Sequence, residues 1–359
     1  MSKSQLTHRE RVRLALQHKP TDRVPISLVC AGINVPAYED LQVYLMKERK
    51  MTVEEYLDPL VDIMEVEPEY IGPQREHLED YWGVIRKIVS YGRGGYEEIE
   101  HYPLKPMNTI DDLEKYNWPV TDWFDYSSIP KQIKKFNDAG KDYCFIAKGG
   151  NIFETSWYMR GFEQTFIDLV LIPEFSNYII RRVTDFYCEH TKKILEAADG
   201  KMDLMFTADD LAGQEGLLMS LKMFEASLKP YHNKLNTVIH GFGAKSMYHT
   251  DGAVMAVVPG LIDMGIDVLE ALQFDAKGMD PVILKDKYGD RLCFSGGVSV
   301  QKTMPFGTPE DVRLEVEELI KVLGKNGGYL CGPSHNVQSG TKPENIIALF
   351  DTAATTKIY

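Results

Sequence analysis

Lys245-Ser246-Met247-Tyr248-His249-Thr250-Asp251-Gly252 is the stretch on which the reading of this chain turns. Its first four residues form a short run suited to a buried strand, and a polar turn carrying a His and an Asp follows at once. The same sequence of events recurs. Leu204-Ala208 runs into Asp209 and Asp210, Val268-Gln273 ends on a glutamine, Leu292-Ser295 precedes a glycine pair, and Gly328-Cys331 leads to His335. Upstream, Val24-Cys30 and Tyr143-Lys148 have the same character, as does the stretch around Ile63-Tyr70. Short apolar runs bounded by Gly, Asp or Pro are what parallel strands covered on both faces look like.

Helices with readable ends fill the gaps. Thr308 before Pro309-Glu310-Asp311 supplies an N-cap, and Val312, Val316, Leu319, Ile320 and Leu323 keep helical spacing up to Gly324. Thr341 with Glu344, and Thr7 with Glu10, each read as a capping box. Strand and helix alternate over most of the chain, which predicts a (β/α)8 TIM-like barrel, residues 1–359 forming one domain. An open doubly wound sheet is the alternative, but no G-x-G-x-x-G follows the first strand. Between Trp82 and Tyr102 the pattern shifts to alternating polar and apolar residues around Gly92-Arg93-Gly94-Gly95, predicting a hairpin insertion over 82–102 that serves as a lid or as surface elaboration.

Barrel strands deliver their C-terminal residues to one face, where active sites sit. That face gathers Asp209, Asp210, His249, Asp251, Gln273, Cys331 and His335. Imidazole, carboxylate and thiolate are the usual ligands of transition metals, so His249, Asp251, His335 and Cys331 are the candidate metal set. A His and an Asp two apart also serve as an ordinary hydrogen-bonded turn. Asp210 and His335 are the candidate proton-handling groups, while Lys148, Asn151, Asp209, Gln214 and Gln273 are candidate substrate contacts. One of Asp209 and Asp210 is equally suited to capping a helix. His232 and His240, in a helical stretch, read as packing or surface residues, and Glu154, Trp157 and Tyr158 as rim packing or mouth lining.

At several of these positions the chain resembles the uroporphyrinogen decarboxylase superfamily. The resemblance rests on Lys19-Pro20-Thr21-Asp22-Arg23-Val24-Pro25, Arg160-Gly161-Phe162-Glu163, Asp209-Asp210-Leu211, Pro230-Tyr231-His232, His249-Thr250-Asp251-Gly252, Ser334-His335-Asn336-Val337 and Thr341-Lys342-Pro343-Glu344-Asn345. It implies a (β/α)8 barrel and one of two chemistries. Methyltransferases of the superfamily hold zinc through a His-x-Cys pair, a later carboxylate and a final cysteine, and exchange methyl groups with thiols or corrinoid proteins. Here His249 matches the histidine, Asp251 replaces the first cysteine, Gln273 falls near the acidic position, and His335 takes the final cysteine's place with Cys331 just upstream. The decarboxylase branch uses no metal and grips its tetrapyrrole with arginines after the first strand, where this chain has none between Arg23 and Arg49.

The expectation is therefore a methyltransferase acting between a small methylated substrate and a corrinoid protein or thiol, with a divalent metal, zinc first. A metal-free decarboxylase and a non-catalytic binding barrel are the alternatives. A formal charge of −13, from 40 Lys+Arg against 53 Asp+Glu, argues against a nucleic-acid partner. No apolar run approaches the ~20 residues that cross a bilayer, the first residues lack a signal-peptide core, and five widely spaced cysteines suit reduced thiols, so a cytoplasmic location is expected. A homodimer is expected because twofold assemblies are the commonest.

Overall fold

Runs that are apolar on both faces can bury both only inside a layered sheet, and the chain does this with a ring. The computed structural model describes residues 6–29 and 32–358. Its strands, in chain order, are β1 (Ile63–Glu65), β2 (Glu69–Tyr70), β3 (Ile85–Tyr91), β4 (Gly94–His101), β5 (Phe124–Asp125), β6 (Cys144–Asn151), β7 (Met202–Ala208), β8 (Lys245–His249), β9 (Val268–Glu270), β10 (Cys293–Val298) and β11 (Tyr329–Pro333). Seven of them form a parallel sheet in the order β1-β6-β7-β8-β9-β10-β11. Residues 25–27 close it: Ile26 bridges to Cys331 in parallel, Cys331 N–H donates to Pro25 O at 2.8 Å, and Asp62 N–H donates to Ile26 O at 2.9 Å. The result is the (β/α)8 barrel.

Closure is held by one carboxylate. Asp62, fully buried beside β1, accepts from Arg11 Nη1 at 2.6 Å, Arg23 Nη1 at 2.7 Å, His8 Nδ1 at 2.8 Å and the Ile26 N–H at 2.7 Å. Burial alone would push this carboxyl up, but His8, Arg23 and Arg11 together hold it below its ordinary range.

Alternation of side chains then sorts each strand into an inner and an outer face. Ile63, Cys144, Ile146, Leu204, Phe206, Met247, Val268, Cys293 and Leu330 fill the ring. Phe145, Met205, Tyr248, Leu269, Phe294, Tyr329 and Cys331 face the helices outside. His249 lies two residues beyond Met247 and Glu270 two beyond Val268, so both point toward the axis at the C-terminal end.

Some expected boundaries move. Strand β9 stops at Glu270, three residues before Gln273, because Ala271 takes a left-handed φ of 82° that no strand continues. The capping boxes of Thr7 and Thr308 form. That of Thr341 does not: Pro343 takes the first helical position, which makes Lys342 the cap. Contact of the first strand with its neighbours centres on Ile26, and Cys30 lies outside the described residues; Cys144, Cys188, Cys293 and Cys331 are buried free thiols. Strands β3 and β4 pair as an antiparallel hairpin with a bulge between Ile85 and Arg86. Among the described residues no helix is long and apolar enough to cross a membrane.

Replacing Asp62 with Ala leaves two guanidinium groups facing each other in a buried site. Asp62→Ala is expected to lower unfolding free energy by about 3–5 kcal/mol, measured by denaturant titration; a loss within experimental error would show that closure does not depend on this residue.

A histidine-carboxylate cluster at the barrel mouth

His249 is fixed before any ligand arrives. Its Nδ1 lies 2.6 Å from Oε2 of Glu270, which is 2% exposed at the end of β9. A carboxylate can only accept, so the proton sits on Nδ1 and the Nε2 lone pair faces the mouth. There Nε2 meets Asp210 Oδ1 and Asp251 Oδ1, each at 3.8 Å. His335, reached by the loop after β11, brings its Nε2 to 3.7 Å from Asp251 Oδ2. One ligand atom from each of His249, Asp251 and His335 lies within 4.8 Å of the other two.

The fit of a cation is testable on the residues themselves. Asp251 Oδ1 is buried with no hydrogen-bond partner, an arrangement that costs free energy unless something positive approaches it. Burial pushes the Asp251 carboxyl up to about 6, against the pull of His249 and His335. Two imidazoles and one carboxylate are a donor set that zinc or another divalent metal accepts, with positions left for water or substrate. The three residues fit the group.

Support comes from the loops. Asp210 accepts the Asp251 N–H at 3.0 Å while its own side chain stays 39% exposed. Gly252 takes a φ of +85° and sits against the Gly213 carbonyl so closely that an added Cβ would stand 2.5 Å away. Gln273 Oε1 accepts from the Gln214 amide at 2.9 Å and from the Gly252 N–H at 3.2 Å, so these two glutamines brace the His-Thr-Asp-Gly loop.

Three expectations are corrected. Cys331 lies inside β11 on the helix-facing side, one residue out of phase with Leu330, and its buried thiol is pushed up to about 12; it is not part of the cluster. Asp209 is fully buried and accepts the N–H groups of Phe153 and Glu154 at 2.8 and 2.7 Å, capping the helix Ile152–Arg160 of the preceding unit. Its other partner is His232 Nε2, so of the two readings of His232, packing and surface, the packing one holds. Asn151 is turned aside to Glu154 Oε2 at 2.8 Å and lines a separate cleft with Tyr81, Trp82, Arg86, Tyr158 and Tyr187. Glu154 accepts from Tyr158 at 3.0 Å and is pushed up to about 8 by burial, then by Asp210 and Asp209.

Lys148 does stand at the mouth. Its Nζ pairs with Glu65 at 2.9 Å on the edge of a cavity of about 270 Å³ lined by Leu28, Val29, Gly32, Ile146 and Phe206. Phe206 joins this cavity to the cluster, its ring 5.9 Å from that of His249. Glu270, Glu65 and Phe206 are not among the residues that the sequence pattern singles out. A carboxylate closing a three-residue apolar strand was the signal for Glu270.

The family model described as Uroporphyrinogen decarboxylase (URO-D) matches residues 89–356. A Methanosarcina mazei protein named methylated-thiol–coenzyme M methyltransferase is 29% identical over 187 residues, 52% of this chain and 46% of its own length. The chain thus spans about half of that curated relative. The solved structure of a methyltransferase from Methanosarcina mazei aligns at a TM-score of 0.67, covering 97% of this chain and 98% of its own at 18% identity, which speaks for the fold alone. With three quarters of its length inside the family match and the barrel carrying its polar residues at the strand ends, the chain belongs to the uroporphyrinogen decarboxylase (URO-D) family.

Proposed function

We propose that the protein is a methyltransferase moving a methyl group between a small methylated substrate and a thiol or a corrinoid protein. The observation that carries the reading is the His249, Asp251 and His335 cluster, with its orphaned Asp251 oxygen; Phe206, whose ring lies 5.9 Å from that of His249, lines a neighbouring cavity of about 270 Å³. That volume lies near the small end of ligand pockets. It suits a compact substrate better than a tetrapyrrole, and the absence of arginine between Arg23 and Arg49 points the same way.

His249 Nε2, an Asp251 oxygen and His335 Nε2 would hold the metal, zinc by preference of the donors. Bound there, the ion would supply Lewis acidity toward a thiol or toward the heteroatom that bears the methyl group. Glu270 keeps the His249 ring in one tautomer and one orientation. Asp210, half-exposed beside His249 Nε2, is placed to take the proton of an acceptor thiol as its sulfur becomes the nucleophile. Apolar walls from Leu28, Val29, Ile146 and Phe206 exclude water from the methyl-bearing end, and the Lys148–Glu65 pair marks the polar end.

Elemental analysis of the purified protein is expected to find about one divalent metal per chain, with His249→Ala, Asp251→Ala and His335→Ala each folded and depleted of it. Cys331→Ala should keep the metal. Glu270→Gln should weaken binding by about 10- to 100-fold in a competition titration with a chelator. Folded protein that cannot be loaded with any divalent metal would overturn the metal site and turn the reading to a lyase or a binding barrel. Loaded protein that demethylates none of a panel of methyl thioethers, methyl ethers and methylamines, with a Co(I) corrinoid protein or a thiol as acceptor, would overturn methyl transfer. Carbon dioxide released from a carboxylated pyrrole would replace it with decarboxylation.

A further inference from the structure

The β3–β4 hairpin is tied down at both ends by contacts that flank the cavity. At its base, Arg86 donates to Asp80 Oδ2 at 2.8 Å and its guanidinium centre lies 5.4 Å from the ring of Tyr158, which in turn donates to Glu154 on the helix that follows β6. Beside it, Ile99 packs on the main core. At its tip, Arg93 reaches Asp40 with both terminal nitrogens, at 3.0 and 2.8 Å. Asp40 sits on the helix Val35–Glu48, whose cap Asn34 donates its N–H to Val337 O at 3.0 Å, two residues from His335.

The two abutments therefore belong to different barrel units. One stands after β6, the other after the first barrel segment. The cavity lies in the sector between them, lined from the first unit by Leu28, Val29 and Gly32, from β1 by Glu65, and from β6 by Lys148. We propose that the hairpin is a strap over this sector, latched by Arg93 on Asp40 and released to admit ligand.

Three features suit a strap that opens. Arg93 and Asp40 are 67% and 33% exposed, and a surface ion pair is weak and screened by salt. The bulge between Ile85 and Arg86 breaks the ladder at the base, where a ribbon bends most readily. Ile88, opposite Glu97, falls on the ribbon face that Arg86 and Ile99 share, and it is 62% exposed; this face has apolar surface left to cover. The strap does not depend on the metal or on the reaction beneath it.

A cysteine placed at the cavity edge, Lys148→Cys, reports access through its rate of reaction with a bulky maleimide, followed by peptide mass spectrometry. Adding Asp40→Ala or Arg93→Ala should raise that rate about two- to fivefold. About 1 M salt should raise it equally in the latched protein, and the exchanged pair Arg93→Asp with Asp40→Arg should return it to the starting value at low salt. Amide hydrogen exchange over residues 85–101 should speed in Asp40→Ala while the barrel strands stay protected. Equal labelling rates across the set would overturn the strap, as would a rise that the exchanged pair fails to reverse.

Discussion

The barrel depends on a ring closing, and the ring closes at Asp62. A buried carboxylate surrounded by Arg11, Arg23 and His8 is one whose loss leaves charge stranded, and it also accepts the N–H of Ile26, the residue that spans from β1 to β11. The first and last barrel units carry this contact to the opposite end. Leu28 and Val29 are carried into the mouth by the segment it anchors, and the His335 loop leaves the strand, β11, that this segment pairs with. Conserving charge balance at the bottom of a barrel is thus a geometric condition for chemistry at the top.

At the mouth, polar groups are arranged by side chains and turns that lie outside the metal-ligand trio. Glu270 sets one imidazole, Asp210 sets the turn that presents Asp251, and Gln273 with Gly252 sets the backbone beneath it. His249 and Asp251 are thus each oriented by a neighbouring barrel unit, and His335 meets them across the mouth. Partners outside the trio in this way fix the direction of the ligand atoms.

The fold was legible because the β/α rhythm repeats over the second half of the chain, and His249, Asp251 and His335 were legible because they close strands or follow them. The face taken by each strand residue was not. Strands buried on both sides are apolar at every position, so alternation leaves no trace in composition. Sequence alone therefore groups Cys331 with His335, although Cys331 stands one residue out of phase with the inward Leu330. The true end of β9 is hidden for a related reason: in sequence an alanine at φ 82° looks like any other strand residue, so Gln273 stands out at the strand end that Glu270 occupies. A capping role for one of Asp209 and Asp210 is legible, but the helix that Asp209 caps is hidden by distance, since its partners precede it by 56 and 55 residues.

That distance bears on how the molecule is made. A helix N-terminus without its cap frays, and the side chain that caps Ile152–Arg160 leaves the ribosome only after the long helix Pro173–Ala198 and strand β7 have followed. During synthesis the start of the helix that carries Glu154 has no acceptor for its first amides. His232, which holds Asp209 from the other side, emerges later still. This part of the rim can acquire its final form only when the whole fourth barrel unit, strand and helix, is available, so a nascent chain stalled before Asp209 would present strands β1 and β6 with an unfinished mouth.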